Sequence, residues 1–350
     1  MTFIPGPHLG QAAEEQVDVK SVSGVAGESG DLTDHDSIAA QFAHLMNEQT
    51  RRNLRGRQAI RTAAHEQLRA EGFNEFDTPV LGRWVNEYQV GNITAATADG
   101  EQLWLAQSPQ VYKQMLIASG YQRYYQFSHC FREEAYEPGR KDSLREFIQL
   151  DFEMETDDLE SVIGVAERLI VSAFKAIGLE CPASPFPRVS ARESIRRWGS
   201  DRPDLRTRPD EISMVTVMNF PLAMRNRSGA IALSRHPMAL PLRTPDSAED
   251  MLEVDTWTFD LVMNGIELAS GGLRIHQAEL QRHVLNVAGL DTASFEELLY
   301  ILADCPPHGG MGLGLDRMCM QMLGADSVAE VTGFPARFGY WKKGRRVALS

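Results

Sequence analysis

Three stretches of this chain hold residue types that handle phosphates, carboxylates and amines. The first runs from Phe127 to Met154, FSHCFREEAYEPGRKDSLREFIQLDFEM. In its last part Ile148, Leu150, Phe152 and Met154 alternate with Gln149, Asp151 and Glu153. A period of two sets the apolar residues on a core and the polar ones on the opposite face of a strand. Upstream, Phe131-Arg132-Glu133-Glu134 ends another strand-like run, and a charged loop joins the two. The pair reads as an antiparallel hairpin with an arginine and carboxylates on one surface. Such a surface suits a nucleotide phosphate, an ammonium group or a metal ion.

The second stretch has Asp260 and Glu267, then Ser270-Gly271-Gly272 and Arg274. A divalent cation that accompanies nucleotide phosphates takes one or two protein carboxylates, and these two can supply them. The third is the glycine-rich run from His308 to Arg317. Glycines let a backbone approach a ligand closely, and a helix N-terminus favours anions, so Arg317 in a first helical turn can reach a phosphate. Taken singly, each stretch also fits a surface ion pair or a structural turn. His276 and His308 read as structural hydrogen-bonders, since the nine histidines show no metal-ligand spacing.

These side chains need a scaffold. Residues 1–36 are rich in Gly, Ser, Asp, Glu and Val and read as a mobile tail. Residues 37–340 read as one catalytic unit, and 341–350 as a solvated basic tail. Within the unit the spacing predicts a helix from Ser37 to about Ala70 that stops at Gly72, then an extended segment to Val80. A short helix is expected over 109–119, strands around 121–134 and 146–154, and an amphipathic helix over 158–178. The proline- and arginine-rich region 181–250 is expected to be mostly loops. Residues 256–277 read as strand, turn, strand. Helices follow around 278–288 and 294–303, and another starts near Leu315.

Bulk composition narrows the classes. At 350 residues, 43% hydrophobic and 24% charged, the chain reads as globular. A net charge of −13 argues against broad binding to nucleic acid. Four cysteines without a CxxC pair argue against a disulfide framework or zinc site and suggest a reducing cytoplasm. With no signal-like start and no long apolar run, the expected location is cytoplasmic, with no membrane partner.

Taken in order, the three stretches resemble the signature motifs of class II aminoacyl-tRNA synthetases. Motif 1 is the long helix and strand ending at Pro79, motif 2 runs from Phe131 through Asp151, and motif 3 is the segment from Gly312 to Arg317. Aspartyl-tRNA synthetases are the most similar. QSPQVYKQ (107–114), FDLVMNGIEL (259–268) and GGLRIH (271–276) look like that family's segments, and GSDRPDLR (199–206) and CPPHGG (305–310) look like its bacterial branch. The resemblance implies an α+β fold, the class II catalytic core, with a mainly antiparallel sheet flanked by helices. It implies ATP and Mg²⁺ as cofactors and a homodimer built on motif 1. Arg132 would hold the α-phosphate, Arg317 the γ-phosphate, Glu134 the adenine, and Asp260 and Glu267 the Mg²⁺. Arg235 would join the ATP site. Lys113 and Arg274 would bind the aspartate side chain as two positive charges, and Ser108, Gln110, Gln149 and Asp151 would surround the amino-acid head, with Asp151 either pairing the ammonium or orienting Lys113.

Departures from the family shape the functional expectation. Residues before position 50 lack the strand patterning of the family's anticodon-reading barrel, and MVTVMNFPL (214–222) resumes the catalytic pattern where the bacterial branch carries an inserted domain. After Pro79 the chain reads LGRWVNEYQV in place of a TPEG-type loop. A His-His-Pro segment becomes Arg235-His236-Pro237, and the motif 2 loop lengthens to AYEPGRKDSLR. The expectation is a free-standing paralogue that forms an aminoacyl-adenylate, aspartyl-AMP, and transfers the acyl group to ammonia or a small-molecule amine. A truncated ligase that still charges tRNA or a modified tRNA position is the enzymatic alternative, and a non-catalytic regulatory paralogue that binds an amino acid or nucleotide the other.

Overall fold

Alternating apolar residues bring eight strands together in one large sheet, in a computed structural model that describes residues 38–82, 92–133, 140–226 and 228–335. The two predicted tails and Glu134 lie outside those residues. In chain order the strands are β1 (Asn74–Glu75), β2 (Leu81–Gly82), β3 (Thr94–Ala96), β4 (Gln102–Leu105), β5 (Arg123–Phe131), β6 (Glu146–Glu155), β7 (Arg188–Ser190), β8 (Met214–Met218), β9 (Ala223–Arg225), β10 (Ile231–Leu233), β11 (Thr258–Met263), β12 (Ile266–Leu273) and β13 (His308–Gly314). The helices are α1 (Ile38–Met46), α2 (Glu48–Ala70), α3 (Gln110–Ala118), α4 (Leu159–Ala176), α5 (Ala191–Trp198), α6 (Ala278–Val287), α7 (Glu296–Ile301) and α8 (Leu315–Met322).

Eight strands form the main sheet in the order β1-β5-β6-β13-β12-β11-β8-β7. The inner pairings are antiparallel, and only the edge pairs β1–β5 and β7–β8 are parallel. This is the expected α+β arrangement. The tight turn between β11 and β12 is Asn264-Gly265, both at positive φ (52° and 80°), as a two-residue hairpin requires.

One face of the sheet carries the main core. Ile60, Ala64 and Leu68 of α2, Val162, Leu169 and Ile170 of α4, and Met318 and Met322 of α8 pack on Leu150 and Phe152 of β6 and Met311 and Leu313 of β13. Side-chain caps fix the helix starts: Asn47 accepts from Thr50 N, and Asp158 from Glu160 N and Ser161 N. A second apolar cluster of Ile117, Leu285, Phe295 and Leu298 ties α3 to α6 and α7 and holds α3 beside β6.

As expected, the region 181–250 is mostly irregular chain, with the short elements β7, α5, β8, β9 and β10 set in it. Each is only three to eight residues long, so periodicity barely registers; β7 and β8 gain their order by pairing into the main sheet, and β9 and β10 by pairing with each other. The glycine-rich run leads into a helix at Leu315 as expected, but it is a strand and not a turn. It is β13, near the middle of the sheet.

Candidate active site

The other face of the central strands is a shallow polar bowl, and glycine makes it. Gln149, Asp151 and Glu153 of β6 stand directly opposite Gly314, Gly312 and Gly310 of β13. The residues between those glycines, Met311 and Leu313, point into the core. A Cβ on Gly310 would collide with the Glu153 carboxylate and the Phe152 carbonyl. Bare backbone at Gly310, and less tightly at Gly312, thus makes room for Glu153 and Asp151 on the neighbouring strand. Above it lies a cavity of about 320 Å³. Its walls include Ser108, Gln110, Lys113, Arg132, Gln149, Asp151, Arg235, Glu267, Arg274 and Arg317. Sequence reasoning named all ten; Asp260 is not on the wall.

At one end the charges are already compensated. Lys113 Nζ lies 3.2 Å from Asp151 Oδ1 and 3.0 Å from Glu153 Oε2, and these three side chains are at most 2% exposed. Arg274 Nε donates to Glu153 Oε1 at 2.9 Å. Burial alone would raise the Glu153 pKa, but Arg274 and Lys113 pull it down to about 2. The two expected positive charges therefore sit in a balanced cluster of two cations and two carboxylates, with Asp151 on Lys113. Arg274 gives its stem nitrogen to Glu153. Among the described residues no hydrogen bond falls on its terminal nitrogens, so its planar fork is the cluster's outward donor. Below, His308 Nε2 meets Gln114 Nε2 at 3.0 Å, and burial lowers the His308 pKa, which keeps the ring neutral at neutral pH.

At the other end arginines converge. Arg132 lies over the Phe147 ring with its guanidinium carbon 5.2 Å from the centroid. Arg317, from the first turn of α8, donates from Nε to Asp142 O at 3.0 Å and from Nη1 to Glu267 O at 3.4 Å. Its Nη2 is 3.4 Å from Asp142 Oδ2. Arg235 donates to Asp260 Oδ2 at 2.8 Å.

A bulge decides where Glu267 points. The β11–β12 register shifts between Leu261 and Val262, so Val262 faces Glu267 across the ladder where regular pairing would give it Leu268. A shift of one residue moves a side chain to the other face of a sheet. Glu267 consequently joins Ser270 on the cavity wall and stays out of the core that holds Leu261 and Ala269. Burial, and after it the nearby Asp260 charge, raises the Glu267 pKa. Arg202 Nε stands 3.5 Å from its carboxylate.

Sequence reasoning did not foresee three contacts. Glu153 was visible as a member of the polar face, but not as the shared partner of Lys113 and Arg274. Arg202 belongs to the GSDRPDLR segment, yet nothing in sequence ties it to Glu267. Asp142, the partner of Arg317, sits in the charged loop and carries no periodic signal. The residues fit one magnesium ion held through Glu267 together with phosphate oxygens and water. A two-carboxylate site does not fit with Arg235 lying on Asp260. Among the described residues no group of three or more His, Cys, Asp and Glu could hold a metal. Also among them, no helix is long and apolar enough to cross a membrane.

An antiparallel sheet with helices on one face and arginines and carboxylates on the other defines the class II aminoacyl-tRNA synthetase core. The chain belongs to the tRNA synthetases class II (D, K and N), whose pattern matches residues 34–337. It is 27% identical to the aspartate--tRNA(Asp/Asn) ligase of Thermosynechococcus vestitus, over 88% of this chain and 73% of that one. The corresponding Prochlorococcus marinus ligase is 28% identical, over 83% and 72%. The first alignment spans 450 residues, more than the 350 of this chain, so that relative carries internal residues this chain lacks. Among solved structures, asparaginyl-tRNA synthetase from Pyrococcus horikoshii complexed with asparaginyl-adenylate superposes with a TM-score of 0.69 at 20% identity, covering 85% of this chain and 71% of that one. The Entamoeba histolytica asparaginyl-tRNA synthetase gives 0.66 at 19%, covering 89% and 75%. At these identities the superpositions show the fold.

Proposed function

We propose that this protein activates L-aspartate with ATP as aspartyl-adenylate and passes the acyl group to ammonia or a small-molecule amine. The observation that carries activation is one cavity with the Arg274 fork at one end and Arg132, Arg235 and Arg317 at the other. The fork takes the side-chain carboxylate of the substrate. Ser108, Gln110, Gln149 and Asp151 surround its ammonium head. The α-carboxylate oxygen then bonds to the α-phosphorus, the bond from that phosphorus to the bridging oxygen breaks, and pyrophosphate leaves. Arg132 stabilises the charge that grows at the α-phosphate, while Arg235 and Arg317 hold the departing phosphates. No protein nucleophile is required, because positioning and fixed charge do the work. Glu267 would hold Mg²⁺, which when bound neutralises phosphate charge. In the second half an amine attacks the acyl carbon, AMP leaves with its phosphate intact, and the amine proton passes to solvent.

A non-polyanionic acceptor is favoured by the net charge of −13, which gives little attraction to a phosphate backbone. A tRNA acceptor is the second reading, favoured by what the curated relatives are called. The protein works as a homodimer in this proposal, with the exposed Ile38, Phe42 and Met46 of α1 covered by a second copy; a monomer by light scattering at micromolar concentration would refute that part. The activation test is aspartate-dependent ATP–pyrophosphate exchange, which is expected to be rapid with aspartate and slow with asparagine. Mass spectrometry of products with ammonia and amines, beside charging of homologous tRNA with labelled aspartate, then decides the acceptor. Exchange that is faster with asparagine overturns the substrate, and stoichiometric charging overturns the non-tRNA acceptor.

A further inference from the structure

We propose that Arg235 is the resident cation of the phosphate end. Its guanidinium takes the place that a divalent ion on Asp260 would occupy, and leaves Glu267 as the one carboxylate for a metal. The part it plays toward phosphates rests on the nucleotide reading above; its relation to Asp260 does not.

Three fixed groups aim this side chain. Arg235 Nη2 donates to Asp260 Oδ2 at 2.8 Å, and Nη1 to Ser270 Oγ at 3.3 Å. Its guanidinium carbon sits 3.3 Å from the centre of the Phe220 ring. Asp260 and Ser270 are direct cross-strand partners on β11 and β12, so their spacing is set by the sheet. Asp260 is 3% exposed and absent from the cavity wall, whereas Arg235 is 13% exposed and forms part of it. The guanidinium therefore stands between the aspartate and the cavity. Asp260 Oδ1 is buried without a hydrogen-bond partner among the described residues, so an ion that displaced Arg235 would find a vacant oxygen. Displacement is disfavoured because it strands a buried charge, and an arginine cannot escape by losing its proton.

The test titrates Mn²⁺ against the protein and reads free ion by electron paramagnetic resonance, with and without a non-hydrolysable ATP analogue. Arg235→Gln is expected to bind Mn²⁺ at least about tenfold tighter than the unaltered protein without nucleotide, because removing one cation beside a partly buried site is worth more than a decade in affinity. Arg235→Gln with Asp260→Asn should return to the original weak binding. In the otherwise unaltered protein, Asp260→Asn should leave nucleotide-supported Mn²⁺ binding within about twofold, whereas Glu267→Gln should abolish it. The Asp260→Asn arm decides the matter even if Arg235→Gln fails to fold. Equal Mn²⁺ affinity in the unaltered protein and Arg235→Gln, or a tenfold loss on Asp260→Asn alone, overturns the proposal. Absence of analogue binding to the unaltered protein, measured by calorimetry, would instead fell the nucleotide reading and leave the nucleotide-free comparison standing.

Discussion

The two ends of the cavity treat charge differently. At the Glu153 end every carboxylate is matched to a cation inside the protein, and Lys113, Asp151 and Glu153 are sealed from solvent. At the Arg317 end the contacts are exchangeable. Arg317 leans on a loop carbonyl and on Asp142, with about a quarter of each side chain exposed. A recognition pocket gains from being rigid before its ligand arrives, since ordering then costs nothing on binding. A phosphate site must accept and release a highly charged group, so Arg317 is held by partners that a phosphate can outbid, while Arg235 stays anchored on Asp260.

This contrast can be broken at its sealed end first. Glu153→Gln leaves Lys113 and Arg274 short of a buried counter-charge and should cost about 3–5 kcal/mol of stability, measured by denaturant unfolding. The same residue sets an acid limit. Its pKa lies near 2 in the fold against 4.5 ordinarily. Its stabilisation is thus whole above pH 4.5 and fades as the pH falls towards 2, and the variant should lack that phase. A variant as stable as the parent would mean the cluster is not charge-coupled.

The exchangeable end should respond in rate with little change in stability. Arg132→Ala should lower pyrophosphate exchange by about 10²–10³ while the unfolding midpoint stays put. An unfolded variant would show that Arg132 is structural. Arg274→Lys keeps the charge but loses the fork, and should raise the KM for aspartate about tenfold with ATP little changed. The smallest effect falls on Asp142→Ala. Freeing Arg317 from a partly exposed partner should tighten ATP binding by about two- to fivefold in a calorimetric titration. Weaker binding would mean that Asp142 orients the arginine and does not compete for it.

Much of this was legible in sequence because period two is a strong signal. The alternation in β6 placed Gln149, Asp151 and Glu153 together on one face, and the Asn264-Gly265 turn closed the second hairpin. The order of motifs brought ten residues to a single wall. Depth was not legible. Alternation tells which face Glu153 is on, but not that α3 delivers Lys113 onto it. The role of β13 was hidden by its own composition, since glycine ordinarily weakens a strand and here both neighbours enforce it. The position of Glu267 depends on a one-residue bulge that no local pattern announces. Arg235 and Asp260 meet across 25 residues of chain, a pairing that only the folded sheet creates.

The glycine ladder of β13 also says where this pocket can be redesigned. No side chain can be added at Gly310 without striking Glu153, and Gly271 and Gly272 of β12 are as closely hemmed in by neighbouring backbone and side chains. Side chains introduced at these three glycines would therefore disrupt the sheet. Ser108 and Gln110, at the start of α3, border the same cavity without belonging to the ladder. Altered appetite for amino acids, whether selected in nature or at the bench, should accumulate on that rim.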